Sequence, residues 1–301
     1  VVVKVVDYIL LGAQSYLLLR IFLSRNSYFK TPFYFFFLVT GLFGCLSVVG
    51  LIIFDRFLYP EDRAWIFKLG YMINVFGVTG STIGKMYITA HRYAVMRNSS
   101  MLEGIWSNRL TAVLCSILLF ISFIPCVTIY FCGYRYTVNG GVTVVAYMDD
   151  SCIVVTKSES CTVYFIFIVV SLVLAPLTSR QLYKIQQSAE QKTKSKIVTQ
   201  QRRMFIIVAV CVISHFVKSV QQFCWVFTAS FHLTEFSAVL ASLYTPIHYL
   251  ATYSASVTLV IFSEPVRRLL ISWRDVDKLS PNGSIGLRSS AAPSTFVMSI
   301  K

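Results

Sequence analysis

The sequence predicts an all-α membrane protein: a bundle of seven transmembrane helices, with a short amphipathic eighth helix and a β-hairpin in the second extracellular loop. Three observations lead there. The 301 residues are 56% hydrophobic, with a mean hydropathy of +0.67, above what soluble chains of this size carry. The apolar residues come as long blocks and not as amphipathic periods, which selects a bilayer over a globular core. The 27 Lys and Arg outnumber the 13 Asp and Glu, for a net charge of +14, and most of them lie between the blocks.

Seven blocks can be marked, Val5 to Leu23, Phe33 to Phe54, Trp65 to Thr89, Leu110 to Phe131, Thr162 to Ser179, Met204 to Ser230 and Phe236 to Phe262. Each is roughly 18 to 27 residues, the length of a tilted span. The first is short-centred, with Asp7 and Arg20 inside its ends. The third is the axis of the bundle. Gly77, Gly80, Ser81 and Gly84 recur along it at helical spacing, so a neighbouring backbone can approach closely. It closes on Ala90-His91-Arg92-Tyr93. Between the fourth and fifth blocks, Arg135-Tyr136-Thr137-Val138 and Val142-Thr143-Val144-Val145 flank Asn139-Gly140-Gly141, two strands around a tight turn. Cys152 and Cys161 beside them either pair in an oxidising compartment or stay free, since spacing does not fix geometry. After the seventh block, Ser263 and Pro265 suit a helix start. Val266, Leu269, Leu270 and Trp273 then share a face opposite Arg267, Arg268 and Arg274, the pattern of a helix lying in the inner leaflet with its apolar side in lipid. The seven-helix domain is thus residues 1–273, with the amphipathic helix at 264–273. Residues 274–301 are a polar tail expected to be disordered and cytoplasmic.

Cations concentrate in one set of connections, from Arg20 to Lys30, Arg92 to Arg109 and Arg180 to Arg203, and in the tail. The positive-inside rule then places the N-terminus outside and the C-terminus in the cytoplasm. Asn98-Ser99-Ser100 and Asn282-Gly283-Ser284 consequently fall inside and should carry no glycan. Loop placement of the cations argues against nucleic acid as a partner. The chain starts at Val1 without a methionine, so residues are expected ahead of it. The four histidines lack metal-site spacing and no span holds a carboxylate pair, so neither an enzyme nor a cofactor is expected. Gly80 to Lys85 brushes a phosphate-loop pattern with the wrong spacing and no preceding strand.

Several short motifs, taken in order, resemble the nematode serpentine chemoreceptors of the gamma/V superfamily, within the G-protein-coupled receptor type. They are Thr31-Pro32-Phe33-Tyr34, His91-Arg92-Tyr93, Ile105-Trp106, and Leu259-Val260-Ile261-Phe262-Ser263 followed by Val266-Arg267-Arg268. The likeness spans Thr31 to Trp273. Three positions depart from that pattern: Ala255-Ser256 replaces an Asn-Pro, His91 stands where an acid or Asn precedes the arginine, and no cysteine marks the outer end of the third helix. The resemblance implies a chemosensory receptor in the plasma membrane of a sensory cell, binding a small external molecule and signalling to a heterotrimeric G protein. The alternatives are a small-molecule transporter, a ligand-gated channel or a degenerate receptor that no longer signals.

Two groups of residues carry that expectation. Lys218 has His215 and Gln222 on its face of the sixth block, and His248 lies at similar depth in the seventh. A lysine so deep costs about 2.5 to 3.5 kcal/mol unless it meets water or a partner. With Asn74 and Tyr244 these form the candidate ligand pocket, while Ser81, Thr252 and Ser256 read as inter-helix contacts. His91, Arg92, Tyr93, Lys85, Arg202 and Arg203 form the candidate coupling and switch region, with Arg92 read either as the switch or as a topology charge. The positive groups of the pocket lean towards an acidic or hydrogen-bond-accepting ligand.

Overall fold

The computed structural model describes residues 2–24, 26, 29–97, 108–139, 142–188 and 191–271. The glycosylation-type triplets, Ile105-Trp106, Trp273 and the tail lie outside the described residues, as do Gly140 and Gly141.

The fold is helical. Among the described residues seven long helices follow one another: α1 (Val2–Leu23), α2 (Pro32–Arg56), α3 (Ala64–Arg97), α4 (Asn108–Tyr130), α5 (Asp150–Ser188), α6 (Gln191–Ser230) and α7 (Thr234–Phe262), then the short α8 (Glu264–Ile271). Between α4 and α5 the strands β1 (Tyr134–Asn139) and β2 (Val142–Met148) pair antiparallel, Asn139 opposite Val142 and Tyr134 opposite Met148, with a bulge at Arg135/Tyr136. Among the described residues five helices, α1, α2, α4, α5 and α6, are long and apolar enough to cross a membrane. Large apolar side chains such as Phe120, Phe165 and Ile213 face outward from them, as lipid-facing surfaces do. In α3 and α7 polar side chains dilute the hydropathy, and these turn inward: Asn74, Thr82, Lys85, His248 and Ser256 are all buried.

α3 is central, packing on α2, α4 and α5, and α7 meets α2, α6 and α8. The α2–α3 seam is the tightest. A Cβ on Gly77 would stand 2.4 Å from the backbone nitrogen of Ser47, and one on Gly50 would stand 2.2 Å from that of Asn74. Only glycine permits backbones that close. Gly80 and Gly84 meet the Phe43 and Thr40 side chains on the same seam, so the glycine face read from the sequence is the face turned to α2.

The two ends of the bundle differ. At one, the α2–α3 connection touches the strands, with the Val145 amide donating to the Tyr59 carbonyl at 2.8 Å, and His232 before α7 meets Asp150 at the start of α5. Lys68 donates to the carbonyls of Tyr130 and Cys132 at 3.0 and 2.9 Å, supplying a charged donor to the unsatisfied carbonyl end of α4. Its ammonium also lies 4.8 Å from the Tyr134 ring centre. Burial pushes the Tyr134 phenol up to about 12, with Tyr136 adding to the rise, so the ring beneath Lys68 stays neutral. At the opposite end, Arg92 lies over Phe33, 4.4 Å from its centroid, and α8 folds back against α1.

Three expectations are corrected. Cys152 is bonded to Cys132, not to Cys161. Cys152 and Cys161 sit on one helix nine residues apart, about 13 Å by helical rise, beyond the reach of a disulfide. The strand pair instead returns the first turn of α5 to the end of α4, where Cys132 lies. Secondly, α5 begins at Asp150, not near Thr162, because Ile153 to Ser160 continues as helix beneath the strands. Thirdly, the apolar face of α8 packs on protein: Val266 and Leu269 join Leu17, Ile21 and Leu259 in one core cluster. Arg20, buried within α1, donates to the Leu269 carbonyl, and Tyr16 donates to that of Leu270 at 3.3 Å.

Candidate functional site

Two polar features lie along the inside of the bundle, one below the strands and one at the Arg92 end. In the first, the Asn74 amide donates to the Ser47 carbonyl at 2.7 Å and its carbonyl accepts from the Tyr244 hydroxyl at 3.2 Å. Ser47 Oγ and His248 Nε2 share a hydrogen bond of 2.9 Å. The Tyr244 and His248 rings stack one turn apart, 5.8 Å between centroids. Asn74, Tyr244 and His248 are therefore one network joining α2, α3 and α7. Pro246 lies inside α7 between the two rings' positions and cannot donate back to the Ser242 carbonyl.

Lys218 enters this network over the Tyr244 ring, its nitrogen 3.8 Å from the centroid, and donates to Gln221 Oε1 at 2.8 Å. Gln222 is buried on the next position, with no hydrogen-bond partner for its Nε2. His215 turns elsewhere. Its Nδ1 lies 2.8 Å from the Cys211 carbonyl, one turn back in α6, and its ring packs against Tyr164 and Phe167 of α5.

The sequence reading omitted Lys157, which the early start of α5 carries into the bundle. Its nitrogen lies 4.9 Å from the Tyr244 centroid, 5.5 Å from Tyr71 and 5.9 Å from Trp225. A signal existed: Lys157, Tyr164 and Phe167 recur at helical spacing, continuous with the apolar block that follows.

At the other end, Lys85 and Arg92 of α3 line a narrow crevice of about 30 Å³ with Phe33 and Phe37 of α2, Phe167 of α5, Ile207 and Cys211 of α6, and Ala255 and Leu259 of α7. Lys85 donates to the Ala251 carbonyl of α7 at 2.6 Å. His91 is buried, and Arg92 and Tyr93 are half-buried. Arg202 and Arg203 belong to α6, but their side chains lie outside the described residues. Among the described residues no group of three or more His, Cys, Asp or Glu is placed to hold a metal ion.

The geometry is that of a helical bundle with a buried polar core and a cleft at its cation-rich end. No family model and no curated protein matches the sequence.

Proposed function

We propose that the protein is a G-protein-coupled chemosensory receptor of the serpentine kind, with α1 to α7 as its seven spans and α3 and α7 completing the set. The strand pair covers the extracellular mouth, the N-terminus is outside and the Arg92 end faces the cytoplasm of a sensory cell. Charge placement supports that orientation. So does the Cys132–Cys152 bond, which would then lie in the oxidising compartment.

One observation carries the reading. α3 and α7 bear both the buried polar network and, about 16 Å further along α3 by helical rise, the Lys85 contact to Ala251 that borders the Arg92 crevice. A small molecule taken up at Asn74, Lys218, Tyr244 and His248 would favour one packing of α6 and α7 against α3. Its differential affinity would shift the population towards a state in which the crevice is wider. A heterotrimeric G protein would read that state at Arg92, with α8 beside it.

The test is expression with a promiscuous G protein and a screen of small molecules, repeated with Arg92→Ala. Ligand-evoked signalling that Arg92→Ala abolishes, with surface expression retained, is the expected result. A ligand-evoked current that persists without any G protein would replace the receptor with a channel.

A further inference from the structure

The face of α6 below the strands is supplied with donors and short of acceptors. Lys218, Gln221, Gln222 and Trp225 follow at helical spacing, and Lys157 approaches from α5. Exposure is 1% at Lys218, 3% at Gln221, 2% at Gln222 and 9% at Lys157. Among the described residues no carboxylate forms an ion pair with either lysine. Glu159, two residues from Lys157, accepts instead from Thr128 of α4 at 2.8 Å. The Gln221 carbonyl is taken by Lys218, and three further donors, Gln221 Nε2, Gln222 Nε2 and Trp225 Nε1, have no hydrogen-bond partner. Buried polar groups are ordinarily paired, and leaving a donor unpaired costs about 1 to 3 kcal/mol. Two amines thus meet over the Tyr244 ring, and the same face of α6 carries three buried N–H groups without a hydrogen-bond partner.

We infer that the space between Lys157 and Lys218 binds an organic carboxylate, held by the two amines with help from Gln222 and Trp225, its apolar body against Tyr71 and Tyr244. The inference rests on the ligand pocket proposed above and names the class of molecule that fills it. A carboxylate offers about four lone-pair positions, enough to serve both amines and two neutral donors at once. Charge-assisted bonds of that kind are the strong ones. Entry exchanges the Lys218–Gln221 hydrogen bond for one to the ligand. Lys157 lies seven residues below Asp150, about 10 Å from the start of α5 by helical rise, at the end of the bundle that the strands adjoin. Tyrosine and tryptophan rings tolerate varied aliphatic or aromatic bodies, while the amines require the negative head.

The experiment uses the full chain in nanodiscs of zwitterionic lipid at fixed pH and ionic strength. Thermal stability and tryptophan fluorescence are followed with sodium salts of the straight-chain acids from acetate to decanoate and with benzoate. The matching primary amides, alkylamines, chloride and phosphate run in parallel. At least one carboxylate should bind at least about tenfold more tightly than its amide. Lys157→Met and Lys218→Met should each lose about that factor, and Gln222→Leu less. Should a lysine variant fail to fold, Trp225→Phe provides a second reading, since it removes one donor and keeps the ring. Amides or amines binding as tightly as the acids would overturn the inference. Equal responses to chloride or phosphate, or unchanged affinity in the lysine variants, would do so too. Carboxylate binding without G-protein activation would leave this site standing and remove the receptor; activation by amines alone would do the reverse.

Discussion

Single glycines set how near α2 and α3 come, and their substitutions should rank by what each new methyl group meets. Gly77→Ala places it against the Ser47 backbone, which cannot yield without separating the helices, and should cost about 1 to 3 kcal/mol. Gly84→Ala meets the Thr40 side chain first, whose hydroxyl has no hydrogen-bond partner to lose, and should cost less than a clash with backbone. Gly12→Ala in α1 meets nothing within 4 Å, and gains helix propensity of up to about 1 kcal/mol. Thermal unfolding in detergent orders the three; Gly12→Ala proving the most harmful would contradict the packing. The α3 glycines were legible because small residues at helical spacing signal a close approach whatever the partner. Gly50, their counterpart in α2, follows Gly41, Gly44 and Ser47 at every third residue, a small face as readable as that of α3, but nothing in its own segment reveals that Asn74 crosses there. Lys157 escaped for a related reason: strand-like residues before it drew the boundary of α5 too late.

Among elements, the passage from α4 to α5 is the most constrained. Its covalent link closes 20 residues, a loop length for which a crosslink contributes about 3 kcal/mol. Non-reducing peptide mapping should recover Cys132 joined to Cys152 with Cys161 alkylated. Cys132→Ser should lower the unfolding temperature far more than Cys161→Ser, and equal effects would point to a different pairing. The strands were legible from alternation and turn residues on either side of Asn139. Which cysteine they bring to Cys152 was not, because Cys132 stands 20 residues away in sequence and only the paired strands close that distance. The apolar face of α8 was legible too, but not its contacts. Lipid and the flank of α1 demand the same residues, and only Arg20, counted in sequence as a boundary charge, decides between them.

For the whole molecule, apolar blocks and cation placement supply the order of the helices and an orientation to test. Impermeant thiol labelling should reach Val138→Cys, at the exposed strand end, on intact cells. It should reach Arg97→Cys at the end of α3 only after permeabilisation. The opposite pattern would turn the protein over in the membrane and remove the cytoplasmic reading of the crevice. The inward polar faces of α3 and α7 explain why composition alone shows five spanning candidates. Hydropathy averages a helix around its circumference, and these two turn a polar face to the buried interior. The clasp between α1 and α8 also has a temporal side. The Arg20 guanidinium is made early, and the Leu269 carbonyl that receives it leaves the ribosome roughly a quarter of a minute later even at fast translation rates. For that interval the Leu269 carbonyl is not yet there to receive the Arg20 guanidinium, so the clasp between the first and last helices closes only once nearly the whole chain has been made.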